Sequence, residues 1–135
     1  MSLSPILTHF FPRPLPYLRT LAAQNKIHAI QLEQRRTDPV NTPDVMLLLE
    51  HRPVYTAGRR QKVEDLLLER SRLEGIGADW VQTDRGGQTT YHGPGQLTVY
   101  PLLDLGRMKV STSHFPLIPH FIPRIAPSPR LHLQT

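Results

Sequence analysis

The sequence contains no cysteine among its 135 residues. This absence excludes disulfide bonds, thiolate metal sites and a cysteine nucleophile within the chain, and it leaves the redox compartment open. No apolar run approaches the ~20 residues that a membrane-spanning helix needs, so we expect no membrane span. Acidic residues are also few, with 11 Asp and Glu against 16 Lys and Arg, for a net charge of +5.

The basic excess lies at the two ends of the chain. Residues 1–43 carry five Lys or Arg and two acids, residues 44–107 carry eight and nine, and residues 108–135 carry three and none. Nucleic-acid-binding proteins usually gather basic residues on one face, with aromatic residues among them. The balanced middle argues against nucleic acid as a partner, and a basic protein that binds nucleic acid or a membrane surface is our third hypothesis.

The order of predicted helices and strands favours an α+β fold. Apolar spacing predicts helices over residues 17–36 and 63–74. The predicted inner face of the first helix consists of Leu18, Leu21, Ala22, Ala29 and Leu32. Short apolar or alternating stretches predict strands at 45–49, 54–57, 79–83 and 97–105. Pro101 places the last strand at a sheet edge or a bulge.

Proline-rich segments flank these elements. Residues 1–16 hold four prolines and no acid, which predicts an irregular lead-in and leaves a mitochondrial presequence open. Residues 108–135 hold five further prolines and show no periodicity, so neither a helix nor a central strand is expected there.

The stretch RGGQTTYHGPGQL, residues 85–97, groups glycines, hydroxyl side chains, an arginine and a histidine in one short segment. Its glycines allow close approach to a ligand, and His92 can exchange a proton near neutral pH. Arg85 can pair with a ligand carboxylate, a ligand phosphate or a carboxylate of its own protein. We interpret it as a substrate-cradling loop between two strands. The alternative is a glycine-rich hairpin whose polar residues only satisfy the turn. The stretch fits neither of the common nucleotide-binding glycine patterns.

This stretch and the VYPLLDL that follows it closely resemble the signature loop of the octanoyltransferases of lipoate biosynthesis. A second block, EHRPVYTAGRR at residues 50–60, is similar to another segment of that family. Tyr17 and Gln24 stand on the first helix where family members tend to have these residue types. The resemblance covers about residues 15–107.

The resemblance implies the fold of the biotin and lipoate protein ligases, a mixed sheet with flanking helices, present here in part. It implies transfer of an octanoyl group from octanoyl-acyl carrier protein to a lysine of a lipoyl-domain protein, with no cofactor and no metal. It implies bacterial cytoplasm or mitochondria, and the acid-free start favours mitochondria for a eukaryotic source. The implied substrate-binding residues are Arg85, Gly86, Gly87, Gln88, Thr89, Thr90, Tyr91 and His92. The cluster of Arg59, Arg60 and Lys62 is either a steering surface for an acidic partner or a solvated turn.

The chain departs from the family pattern after about Arg107. The family forms a thioester on a cysteine activated by a lysine. This sequence has no cysteine, and its lysines, Lys26, Lys62 and Lys109, stand in no family-like motif. We therefore assign no catalytic residue and predict an inactive chain. The domain prediction is a lead-in at 1–16, a partial ligase-like domain at 17–107 and a non-family tail at 108–135. We hypothesise that the tail arises from a wrong reading frame, an unspliced intron or an alternative exon. The second functional hypothesis is a non-catalytic module that binds an octanoyl chain or a lipoyl domain.

Overall fold

A computed structural model describes residues 5–60 and 63–108 of the chain. It contains two helices and two three-stranded sheets, so the predicted α+β fold is confirmed. The elements in chain order are β1 (Ile6–Phe10), α1 (Tyr17–Thr37), β2 (Asp44–Leu49), β3 (Val54–Ala57), α2 (Val63–Gly75), β4 (Asp79–Gln82), β5 (Thr90–His92) and β6 (Thr98–Leu102). The predicted tail lies, apart from Met108, outside the described residues, as does Lys62. None of the described helices is both long and apolar enough to cross a membrane.

The first sheet has the strand order β1-β2-β6, with β1 parallel and β6 antiparallel to the central β2. The inward residues of β2, Leu47 and Leu49, are buried. Pro101 lies on β6, an edge strand of the described sheet, and pairs with Met46 of β2. This confirms its predicted place, because proline has no N–H to give to a strand on the far side.

The second sheet has the order β4-β3-β5, with β4 parallel and β5 antiparallel to β3. Most of the central β3 is buried, since Val54, Thr56 and Ala57 have no exposed surface. The connection from β2 to β3 carries the chain from one sheet to the other. It is held by His51, which forms an isolated bridge to Leu15 just before α1.

An ion cluster ties the end of α1 to the end of β6. The Asp44 carboxylate is buried and lies 2.8 Å from the Arg35 guanidinium and 2.7 Å from that of Arg107. It also accepts a 2.9 Å hydrogen bond from the backbone N–H of Asp104. Because both arginines and this N–H converge on one carboxylate, the segment after β6 has a fixed position against the helix.

Two strands lie where the sequence predicted none. Residues 6–10, expected to belong to an irregular lead-in, form β1 alongside β2. All five residues of β1 are exposed, so the strand lacks the alternation of buried and exposed residues that predicts one. The three-residue β5 lies inside the predicted loop, where its antiparallel partner β3 holds it extended.

The predicted inner face of α1 was wrong. Leu18 is 60% and Leu32 51% exposed, and Ala22 and Ala29 are also exposed, whereas Thr20 and Gln31 are buried. The buried Gln31 amide donates 3.1 Å hydrogen bonds to the carbonyls of Pro43 and Leu102. Such bonds offset the cost of burying an amide, so polar residues can form the inner face of this helix.

Candidate functional site

The loop 85–97 is bound to the second sequence block by its first residue, Arg85. The Arg85 guanidinium donates to the Thr56 hydroxyl, from Nη2 at 2.8 Å and from Nε at 3.3 Å, and also to the Thr56 backbone carbonyl. A further bond of 3.1 Å reaches the carbonyl of Gly86. Burial lowers the pKa of Arg85, which still stays protonated near neutral pH. Arg85 thus anchors the loop to the buried centre of β3.

The backbones of the two blocks touch where Gly58 meets Gly87. A Cβ atom built on Gly58 would lie 2.8 Å from the carbonyl carbon of Gly87 and closer still to its oxygen. Real Cβ atoms essentially never show such contacts, so only glycine allows this approach. Gly87 itself has a positive φ of 90°, and the N–H of Arg59 donates to the Arg85 carbonyl at 3.0 Å.

The second half of the loop is held at the end of β2. The Gly95 N–H donates to the Glu50 carboxylate at 3.2 Å, and Gly95 has a positive φ of 84°. Tyr91 projects outward and is 37% exposed, with its ring centroid 5.0 Å from that of Tyr55. The loop therefore contacts the second block at both of its ends.

An aromatic cluster around two buried histidines lies behind the loop. This buried aromatic cluster consists of His51 and His92, together with the half-buried Tyr17 and Tyr100. The ring centroid of His51 lies 5.3 Å from that of Tyr17 and 5.8 Å from those of His92 and Tyr100. His51 is fully buried and His92 is 5% exposed. The cluster joins α1, the β2–β3 connection, β5 and β6, so it positions the loop against both sheets.

The hydrogen bonds of His51 fix its tautomer. Its Nδ1 lies 3.2 Å from the carbonyl of Leu15, which can only accept, so Nδ1 carries the proton. Its Nε2 lies 2.6 Å from the Tyr100 hydroxyl and accepts from it. Burial lowers the pKa of His51 and raises that of Tyr100, so both groups stay neutral near pH 7.

The predicted substrate-binding residues fall into three sets. Arg85, Thr90 and His92 lie toward the protein, and the Thr90 carbonyl accepts a 3.4 Å bond from the Thr56 hydroxyl. Gly87 and Thr89 are half-buried. The residues that face solvent are Gly86, Gln88 and Tyr91. The loop is therefore anchored on its inner side and open on its outer side.

The sequence analysis did not predict that Thr56 and Gly58 contact the loop. Both stand in the block at 50–60, so the signal was present, but nothing in the pattern showed that this block meets the loop. Within residues 5–60 and 63–108, no three His, Asp or Glu side chains are grouped so that they could hold a metal ion.

A cavity of about 250 Å³ opens beside the buried aromatic cluster. It lies between the start of α1, the end of α2 and β4. Its lining residues are Pro16, Tyr17, Leu18, Glu74, Ala78, Asp79, Trp80 and Val81. Tyr17 belongs both to the cavity wall and to the cluster. The cavity therefore lies next to the cluster that supports the inner side of the loop.

The amino-acid sequence of the chain is similar to those of known proteins. Residues 17–122 match the sequence model described as the lipoyl protein ligase A/B catalytic domain. The mitochondrial octanoyl-[acyl-carrier-protein]:protein N-octanoyltransferase of Danio rerio is 46% identical over 86 residues, which are 64% of this chain and 38% of that protein. The octanoyltransferase of Thermobifida fusca is 43% identical over 105 residues, 77% of this chain and 40% of that one. This chain thus spans less than half the length of these curated relatives.

Solved structures give a more distant likeness. The bipartite lipoate protein ligase of Thermoplasma acidophilum, from a structure that includes its lipoyl domain, is 19% identical and has a TM-score of 0.44. The alignment covers 71% of this chain and 34% of that one.

Proposed function

The chain belongs to the family of lipoyl protein ligase A/B catalytic domains, and from this premise we propose that it recognises an octanoyl group carried by acyl carrier protein. The full reaction transfers this group to a lysine of a lipoyl-domain protein. The bond between the octanoyl carbonyl and the carrier's sulfur breaks, an amide forms with the lysine nitrogen, and the amine proton leaves with the carrier thiol. The names of the relatives support this choice of acyl group.

The observation that carries the proposal is the meeting of the two motif blocks. Arg85 is bound to Thr56, Gly87 lies against Gly58, and Gly95 donates to Glu50. These contacts fix the inner side of the loop, so its outer side is preorganised for a ligand. A Cβ at Gly86 would meet nothing within 4 Å, which leaves open space for an acyl group against the backbone.

Arg85 acts in this proposal as an anchor of the loop. Its donors are directed at Thr56 and at its own loop, and none of the ion pairs among the described residues includes it. An octanoyl thioester is neutral and needs no counter-charge. Because the donors of this half-buried guanidinium are already occupied, a neutral acyl ligand can bind the loop and leave Arg85 in place.

This chain by itself is expected to bind without turnover. It has no cysteine, so it cannot form the enzyme thioester that the family resemblance implies. The missing thiol favours the non-catalytic module as the function of this polypeptide when it acts alone. For a eukaryotic source we propose a mitochondrial location, as for the Danio rerio relative.

The test is a calorimetric titration of the purified chain with octanoyl-acyl carrier protein, with unacylated carrier protein as the control. We expect saturable binding that requires the octanoyl group. In parallel, the chain, the octanoyl carrier and a lipoyl domain are incubated together, and the mass of the lipoyl domain is measured. Equal binding of both carrier forms would refute acyl recognition, and an octanoylated lipoyl domain would refute binding without turnover.

A further inference from the structure

The cavity beside the buried aromatic cluster combines an apolar wall with acidic groups. Tyr17 and Trp80 supply aromatic rings, and Pro16, Ala78 and Val81 add apolar surface. Its volume of about 250 Å³ exceeds the ~150 Å³ that suffices for benzene in an engineered cavity. An alkyl chain of a few carbons therefore fits in this space.

The charged residues that line the cavity determine whether it favours a cation or an anion. Its two ionisable acids are Glu74 and Asp79. The Glu74 carboxylate lies 2.8 Å from the Arg70 guanidinium on the surface of α2. Asp79 takes part in none of the ion pairs found among the described residues, so its negative charge is not offset there. At the Asp79 end of the cavity, a cation would therefore be attracted and an anion repelled.

We propose that this cavity binds the side chain of a lysine, with the methylene stem against the apolar wall and the ammonium group at Asp79. Aromatic faces also attract an alkylammonium group. Identifying this lysine as the acceptor of the octanoyl group rests on the proposed function. The binding of a lysine side chain rests on the cavity alone.

The cavity is connected to the inner side of the loop by a chain of ring contacts. Tyr17 lines the cavity, and its ring contacts His51, which in turn contacts His92 of the loop. The positive charge of Arg85, the first residue of the loop, also acts on the Tyr17 hydroxyl. Two side chains, Tyr17 and His51, thus lie between the cavity for an amine and the loop whose outer side is proposed to hold the acyl group.

The test uses Trp80, the single tryptophan of the chain, as a reporter in the cavity wall. The chain is titrated with Nα-acetyl-lysine N-methylamide while the Trp80 emission is recorded. The control ligand is the same compound acetylated on Nε, which keeps the stem and removes the charge. We expect a saturable change in emission with the first compound and at least about fivefold weaker binding of the second.

Two matched variants locate the charge. Asp79→Asn is expected to weaken binding of the lysine compound about fivefold, since a partly exposed ion pair contributes up to ~1 kcal/mol. Glu64→Gln removes an exposed acid of α2 that does not line the cavity, and it should leave binding unchanged. Asp79 is exposed, so its variant should retain the fold, and a circular dichroism melt checks this.

Three results would overturn the proposal: no saturable binding, equal binding of the two compounds, or equal loss in both variants. Octanoyl-carrier binding is measured independently by calorimetry. If that binding persists while the lysine compound fails to bind, the cavity proposal is wrong and the proposed function stands. If the lysine compound binds and the octanoyl carrier does not, the proposed function is wrong and only the amine site remains.

Discussion

Three glycine-to-alanine substitutions should have different effects, although they add the same methyl group within one small region. Gly58→Ala places a Cβ atom 2.8 Å from the Gly87 carbonyl carbon, where ordinary contact begins at 3.4 Å. The loop must therefore shift by at least about 0.6 Å, the difference between these distances, and further for the carbonyl oxygen. Both neighbours are backbone atoms, so no side-chain rotation can relieve the overlap.

The expected costs follow from the local geometry. Gly58→Ala should lower the free energy of unfolding by about 1–3 kcal/mol, the usual range for overpacking, and should weaken octanoyl-carrier binding most. Gly87→Ala should cost about 1–2 kcal/mol, because Gly87 has a φ of 90°. Gly86→Ala meets nothing within 4 Å and requires no positive φ, so its stability should stay within about 1 kcal/mol of the parent.

The assay is urea unfolding followed by circular dichroism, together with calorimetric titration with octanoyl-acyl carrier protein. Gly86→Ala is the matched control for unfolding, because it adds the same methyl group in the same loop. A Gly58→Ala chain with parental stability and affinity would refute the inferred contact between the two blocks. So would a series in which Gly58→Ala and Gly86→Ala are equally destabilised.

Three further outcomes are expected, each measured by urea unfolding. Arg85→Lys should lose about 1–2 kcal/mol of stability, because lysine lacks the planar fork of donors that Arg85 directs at β3, and an unchanged value would contradict the anchor role. Asp44→Asn should cost about 3 kcal/mol, since it leaves two arginines without their buried partner, whereas Glu33→Gln, in an ion pair with both side chains more than 70% exposed, should cost under about 0.5 kcal/mol. Stability should fall as the pH is lowered through 6.5, because the pKa of buried His51 is below this unfolded-state value and the unfolded chain binds the proton first. His51→Gln should reduce that loss, and an undiminished pH dependence would show that another group causes it.

The local pattern predicted both described helices and four of the six described strands. Helices expected at 17–36 and 63–74 are observed at Tyr17–Thr37 and Val63–Gly75. The strand expected at 45–49 is observed at Asp44–Leu49. These segments carry their own signals in apolar runs, proline and glycine. The resemblance to the family is likewise confirmed, since the match to the catalytic-domain model covers residues 17–122.

The strand β1 and the inner face of α1 depend on partners that are distant in sequence. A local sequence pattern contains no information about such partners. β1 exists because β2 offers it a parallel partner, and Leu7 and Phe10 remain more than half exposed in it. In α1, the carbonyls of Pro43 and Leu102 satisfy the Gln31 amide, so a polar residue is buried and Leu18 is not. Apolar spacing predicts the buried face of a helix only when that face is apolar.

The contacts of the candidate site also depend on partners that are distant in sequence, so local patterns did not predict them. For Arg85 we expected one of three partners: a ligand carboxylate, a ligand phosphate, or a carboxylate of the chain itself. The structure gives it a fourth, the hydroxyl and carbonyl of Thr56, which is 29 residues away in sequence. The pairing of β3 with β4 and β5 creates this contact, because it places the residues on both sides of the segment 83–89 beside the buried strand. The guanidinium keeps its positive charge, but its donors are directed at β3. A ligand carboxylate or phosphate would have to displace Arg85 from Thr56 to pair with it bidentately, whereas in the proposed function the octanoyl thioester, being neutral, leaves the anchor in place.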